Sequence, residues 1–156
     1  MRLLLVEDDD YKIELIVTYL KSIFSKIYFT EAKSVKIAKK RIEEDTDTDI
    51  ILLDMTLPTF NITYGSSGGR PQGFGGLEVL RYMEMIEDSR PVIIVTQFQS
   101  FDTEEGTKDI SYLRDLLNEE GFENFYGIVQ FSSSTESWKD SLKTMLLELS
   151  IENPDH

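Results

Sequence analysis

The chain has 156 residues, an apolar share of 40%, no cysteine and a formal charge of −13. That length suits one domain with a sizeable core. The charge argues against nucleic acid as a direct ligand, since phosphate contacts need clustered Lys and Arg. Absent cysteine excludes a disulfide scaffold and thiolate-bound zinc, and no apolar run approaches the roughly 18 residues of a membrane helix. With no basic leader and no long apolar segment at its start, the chain is expected to be cytoplasmic and free of membrane.

Short apolar runs alternate with amphipathic stretches from end to end. "RLLLV" (2–6) reads as a buried strand, and Ile13, Ile16, Val17, Leu20 and Phe24 follow at the spacing of a helix face. "KIYFTEA" offers a second strand near 26–30, and Ala32, Val35, Ala38 and Ile42 mark a helix that ends in "EEDTDTD". "DIILLD" (49–54) is the third strand, apolar throughout, as a central parallel strand covered on both faces should be.

Residues 59–75, "TFNITYGSSGGRPQGFG", break the rhythm before a helix from Gly76 with Leu77, Leu80 and Met83 on one side. "RPVIIVT" (90–96) is the fourth strand, with Pro91 at its start where no ladder donor is lost. A polar loop, "QFQSFDTEEGTK", then leads to a helix marked by Ile110, Leu113, Leu116 and Leu117 that stops at Gly121. "FYGIVQF" is the fifth strand, and "SSSTE", with Glu136 available for a capping box, opens a last helix that buries Trp138, Leu142, Met145, Leu146 and Leu149. Five strands alternating with five helices predict an α/β fold, a doubly wound parallel sheet with helices on both faces.

In such a sheet ligands bind at the carboxyl ends of the strands, where strand order reverses. The strand ends carry Glu7, Asp8 and Asp9, then Asp54, Thr96 and Gln130. Carboxylates converging there form a hard oxygen site of the kind Mg²⁺ takes, while Asp9 or Asp10 starts the first helix. No glycine fingerprint for a dinucleotide follows the first strand.

The set "LLLVEDD", "DIILLDMTLP" and "VIIVT", in this order and rhythm, resembles the receiver domain of two-component response regulators over nearly the whole chain. The resemblance implies a flavodoxin-like sheet of order 2-1-3-4-5 and a receiver-like domain over 1–150, and "IENPDH" (151–156) reads as a frayed tail. The resemblance also implies Asp54 as phosphoacceptor, and a Mg²⁺ site of Glu7, Asp8, Asp54 and the Thr56 backbone carbonyl. It implies Thr96 as the hydroxyl that senses the phosphoryl group. The partners it implies are a histidine kinase or phosphotransfer protein, and a downstream protein reading the 97–131 surface; the role is that of a switch rather than an enzyme. An aspartyl-nucleophile phosphohydrolase would want a second acid where Thr56 stands.

Two departures from the family stand out. Gln130, followed by Phe131, occupies the place of the usual lysine, and no lysine lies between Lys108 and Lys139. The aromatic expected three residues earlier is replaced by Gly127, with Tyr126 beside it. The insertion separates Pro58 from Gly76, and its Arg70 is a candidate substitute cation; without one, the crevice is expected to be all carboxylate. Phe98 and Phe101 are candidate anchors in the polar loop. An alternative is therefore a pseudo-receiver, an interaction module that works without phosphorylation.

Overall fold

A computed structural model describes residues 1–57, 75–97, 100–103 and 106–152, with backbone alone for 100–103 and 106–109. Pro58, residues 59–74 of the insertion with its Arg70, and Phe98 lie outside the described residues, as does the side chain of Phe101.

The elements run β1 (Arg2–Val6), α1 (Asp10–Ile23), β2 (Tyr28–Ala32), α2 (Val35–Glu44), β3 (Ile50–Leu53), α3 (Gly75–Met85) and β4 (Val92–Thr96). They continue with β5 (Ser100–Thr103), β6 (Gly106–Asp109), α4 (Ile110–Glu120), β7 (Phe125–Gln130) and α5 (Ser137–Glu152). β1, β2, β3, β4 and β7 form one parallel sheet in the order β2-β1-β3-β4-β7, which is the 2-1-3-4-5 order expected for the five alternating strands.

The central strands β1, β3 and β4 are buried and apolar but for Arg2 and Thr96 because both faces of the sheet are covered. Side chains alternate between faces with a period of two residues. Leu4, Val6, Ile51, Leu53, Val92 and Ile94 therefore point to one side, where residues of α2, α3 and α4 cover them. Leu3, Leu5, Ile50, Leu52, Ile93 and Val95 point to the other, against Ile16 and Leu20 of α1 and Trp138, Leu142, Leu146 and Leu149 of α5. Gly121 ends α4 with φ +68, the left-handed value a helix C-cap needs and glycine adopts at least cost.

Four local readings are corrected. β2 lies two residues later than 26–30, because its ladder with β1 pairs Arg2 with Tyr28 and Val6 with Ala32. Ala32 thus closes the strand, and Ser34 caps α2 by accepting a hydrogen bond from the Ile37 amide at 3.2 Å.

The stretch read as a polar loop contains an antiparallel hairpin, β5 with β6, pairing Ser100 with Asp109 and Thr103 with Gly106. It has no Asn-Gly or Asp-Gly at its turn, the sequence signal that marks such hairpins best. At the far end α5 begins at Ser137, so Glu136 directly precedes the helix instead of standing inside its first turn: its carbonyl accepts from the Lys139 amide at 3.0 Å and its carboxylate pairs with the Lys139 ammonium at 2.8 Å. The same helix continues through Ile151 and Glu152, two residues assigned to the tail.

β7 holds an irregularity that bears on the departures. Val92 pairs with Phe125 but Ile93 pairs with Gly127, so Tyr126 is the extra residue of a bulge. Its ring packs on the α5 side, and its hydroxyl donates to Glu148. A Cβ at Gly127 would stand 2.9 Å from Met145 Cε, so the helix occupies the space where an aromatic is expected.

Candidate functional site

The strand order reverses between β1 and β3, and their carboxyl ends carry Glu7, Asp8 and Asp54. Two backbone hydrogen bonds fix these ends: the Asp54 amide donates to Val6 O at 2.9 Å and the Glu7 amide to Ala32 O at 3.0 Å. Ligand oxygens of Glu7, Asp8 and Asp54 all fall within 4.8 Å of one another. Glu7 and Asp54 are buried, at 4% and 5% exposure, whereas Asp8 is exposed.

The four acids of positions 7–10 separate into roles. Asp9 is the N-cap of α1, accepting from the Tyr11 amide at 3.0 Å and the Lys12 amide at 3.3 Å. Asp10 turns outward to Lys33 at 2.6 Å. Glu7 turns inward, where its Oε1 accepts from the amides of Asp8 and Asp9, each at 3.1 Å.

Asp54 Oδ2 accepts from the Thr56 hydroxyl at 3.2 Å, and Oδ1 lies 3.4 Å from the Thr56 amide. Thr96, at the end of β4, is fully buried beside its ladder partner Gln130, and its carbonyl accepts from the Phe131 amide at 2.7 Å. Gln130 itself is exposed.

The expectation of an all-carboxylate crevice is overturned by Lys12. This side chain is 2% exposed and its ammonium contacts three acceptors: it pairs with Glu7 Oε2, donates to Val95 O at 2.7 Å, and lies 3.6 Å from Asp54 Oδ1. The Phe131 ring, 5.6 Å from Nζ, closes the far side. A buried lysine needs such partners, because an unpaired charge out of water is costly.

Its place on the core-facing stripe was legible from its spacing. Lys12 precedes Ile16 by four and Leu20 by eight, so a helix places it on the same stripe as two core residues. A cation in an apolar row, one turn after an acidic strand end, is the signal that the reading of the fifth strand passed over.

One ammonium does not offset two buried carboxylates. Burial, and then the charge of Asp54, push the Glu7 carboxyl up to about 8, although Lys12 and the Asp9 amide pull the other way. Burial also raises Asp54, against the lowering effects of Lys12 and of the Thr56 amide. The donor set fits a hard divalent cation: it is all oxygen, and with Glu7 deprotonated its three carboxylates against one ammonium leave two negative charges.

A pH dependence follows for the metal-free protein. An acid whose folded value is raised adds stability that is fully present below its ordinary value of 4.5 and is lost as pH rises to about 8. With chelator present, the melting temperature is expected to fall between those pH values, and Glu7→Gln is expected to flatten that fall. An unchanged slope in the variant would assign it to the other acids.

No family model matches the chain. The Detocs response regulatory protein DtcB of Enterobacter cloacae is 29% identical over 150 residues, covering 96% of this chain and all of that protein. A CheY-like receiver domain from Methanospirillum hungatei superposes with a TM-score of 0.62 at 16% identity, covering 99% of this chain and 98% of that one. The signal receiver domain of a putative Luxo repressor protein from Vibrio parahaemolyticus gives 0.62 at 22% identity, covering 99% and 96%. Among the described residues no helix is long and apolar enough to cross a membrane. The chain has the flavodoxin-like fold of response-regulator receiver domains, and its sequence follows a response regulatory protein over 96% of its length.

Proposed function

We propose that the chain is a working receiver in phosphorelay signalling, with Asp54 the phosphoacceptor. The observation that carries this is the buried Asp54 carboxylate at the switch point of the sheet, within 4.8 Å of Glu7 and Asp8. The resemblance in sequence to a response regulatory protein supports the same reading.

In the transfer, an Asp54 carboxylate oxygen attacks phosphorus, the bond from phosphorus to the donor nitrogen of a phosphohistidine breaks, and the imidazole leaves with the electron pair. Glu7, Asp8, Asp54 and the Thr56 carbonyl are the residues that would hold Mg²⁺. When bound, the metal neutralises charge on the transferred oxygens. Thr56 orients Asp54 through its amide and hydroxyl. The Thr96 hydroxyl senses the new oxygens, and the hairpin, α4 and β7 carry the change to a downstream protein through the 97–131 surface. The phosphoryl donors are a histidine kinase or a phosphotransfer protein.

A second reading, a pseudo-receiver independent of phosphorylation, draws on the exposed Gln130 and on the hairpin beside the switch surface. Incubation with Mg²⁺ and acetyl phosphate, followed by intact mass, separates the two. The wild type is expected to gain one phosphoryl mass, and Asp54→Asn or chelator to abolish it. An unmodified wild type whose partner binding survives Asp54→Asn would establish the pseudo-receiver instead.

A further inference from the structure

We propose that Lys12, from α1, is the cation that faces the phosphoryl group on Asp54, in place of the lysine that Gln130 replaces at the end of β7. This inference rests on the receiver reading. It deepens that reading by assigning a residue on a different element to the charge the site requires.

The geometry supports it from several sides. Lys12 Nζ is 3.6 Å from Asp54 Oδ1, within reach of oxygens added to that carboxylate. Its hydrogen bond to Val95 O ties the ammonium to β4, one residue before Thr96, so the cation and the sensing hydroxyl are set by the same strand end. Phe131, immediately after Gln130, packs between Lys12 and Trp138, 5.6 Å from the ammonium and 4.9 Å from the indole ring centroid. An apolar ring thus closes the approach from β7 while α1 supplies the charge. Gln130 is exposed and cannot replace that charge, since an amide donates hydrogen bonds but carries no net charge.

The charge balance gives the side chain a purpose in both states. In the free protein the ammonium offsets the buried Glu7 and Asp54 carboxylates. After transfer from acetyl phosphate the new bond joins Asp54 oxygen to phosphorus, the bond from phosphorus to the acetate oxygen breaks, and acetate leaves with the electron pair. The phosphoryl oxygens then bring further negative charge to the place that Lys12 faces. Glu7 competes for the same ammonium, so a divalent cation held by Glu7 would leave Lys12 to face Asp54.

The test uses the full chain as wild type, Lys12→Met, Lys12→Arg and Lys12→Met with Gln130→Lys. Each is incubated with Mg²⁺ and acetyl phosphate and read by intact mass, with folding checked by circular dichroism. Beryllofluoride is titrated in parallel against the fluorescence of the single tryptophan. Lys12→Met is expected to slow adduct formation and weaken beryllofluoride binding by roughly a hundredfold, the scale of losing one charge-stabilising donor. Lys12→Arg and the double variant are expected to recover at least a tenth of the wild-type rate.

In the wild type, the ¹⁵N signal of the Lys12 ammonium is expected to shift on adding beryllofluoride to the Mg²⁺-loaded protein. That measurement stands even where Lys12→Met does not fold, and an unmoved signal overturns the proposal. A folded Lys12→Met that labels at the wild-type rate overturns it too, and leaves the receiver reading intact. A wild type that takes neither adduct nor beryllofluoride overturns both, which is a distinct pattern.

Discussion

Replacing Lys12 by Met is expected to lower the stability of the metal-free protein by about 3–5 kcal/mol above pH 8, read by urea denaturation. The substitution keeps the length and apolar stem of the side chain, so the loss is chiefly electrostatic. It would leave Glu7 and Asp54, at 4% and 5% exposure, facing each other with no cation. Removing one partner of a buried pair strands the other charge away from water, and that stranded charge dominates the cost.

The same variant has a pH signature. Glu7 is pushed up to about 8, so near pH 5 it carries a proton and Lys12 has less charge to offset. The gap between variant and wild type is therefore expected to narrow as pH falls. A loss below about 1 kcal/mol at high pH would mean that water reaches the pair and screens it.

The second large effect is expected where α3 meets the loop after β3. A Cβ at Gly75 would lie 1.8 Å from Leu57 O, and one at Gly76 2.8 Å from Asp54 O and from Met55 Cα. These are backbone atoms, so no side chain can rotate away. The Gly76 amide also donates to Met55 O at 2.9 Å, which fastens the helix start to the loop that follows Asp54.

Gly75→Ala and Gly76→Ala are each expected to cost about 3 kcal/mol, the upper end of the usual overpacking penalty, with Gly75 the more severe. Gly76→Ala is also expected to slow acetyl phosphate labelling beyond its effect on stability, since the loop that must shift carries Asp54 and Thr56. Wild-type stability in both variants would show that α3 can withdraw at no cost.

The strand order came with the family resemblance, whereas the parallel sheet itself was readable because a parallel strand covered on both faces must be apolar at nearly every position. "RLLLV", "DIILLD" and "VIIVT" leave no other face pattern. The acids at strand ends were readable for a related reason, since the crossover rule sends every carboxyl end to the same edge. Glu7, Asp8 and Asp54 accordingly meet.

The hairpin of β5 and β6 was not readable, because four-residue strands carry almost no periodic signal. The start of β2 was set by its ladder with β1, which its own residues do not encode. Lys12 was missed for a third reason: its place on the apolar stripe of α1 was visible, but not which atoms it would meet.

By itself the sequence determined the layered fold, the edge at which chemistry gathers and the carboxylates that stand there. Local pattern suffices for these, because burial on two faces and the hand of the crossover leave little choice. Which cation sits among the acids was decided only by tertiary structure. Lys12 and Val95 are 83 residues apart in the chain, and their 2.7 Å hydrogen bond exists because α1 packs across the sheet onto β4. Electrostatic balance in a buried site depends on distance in space, and spacing along the chain does not supply it.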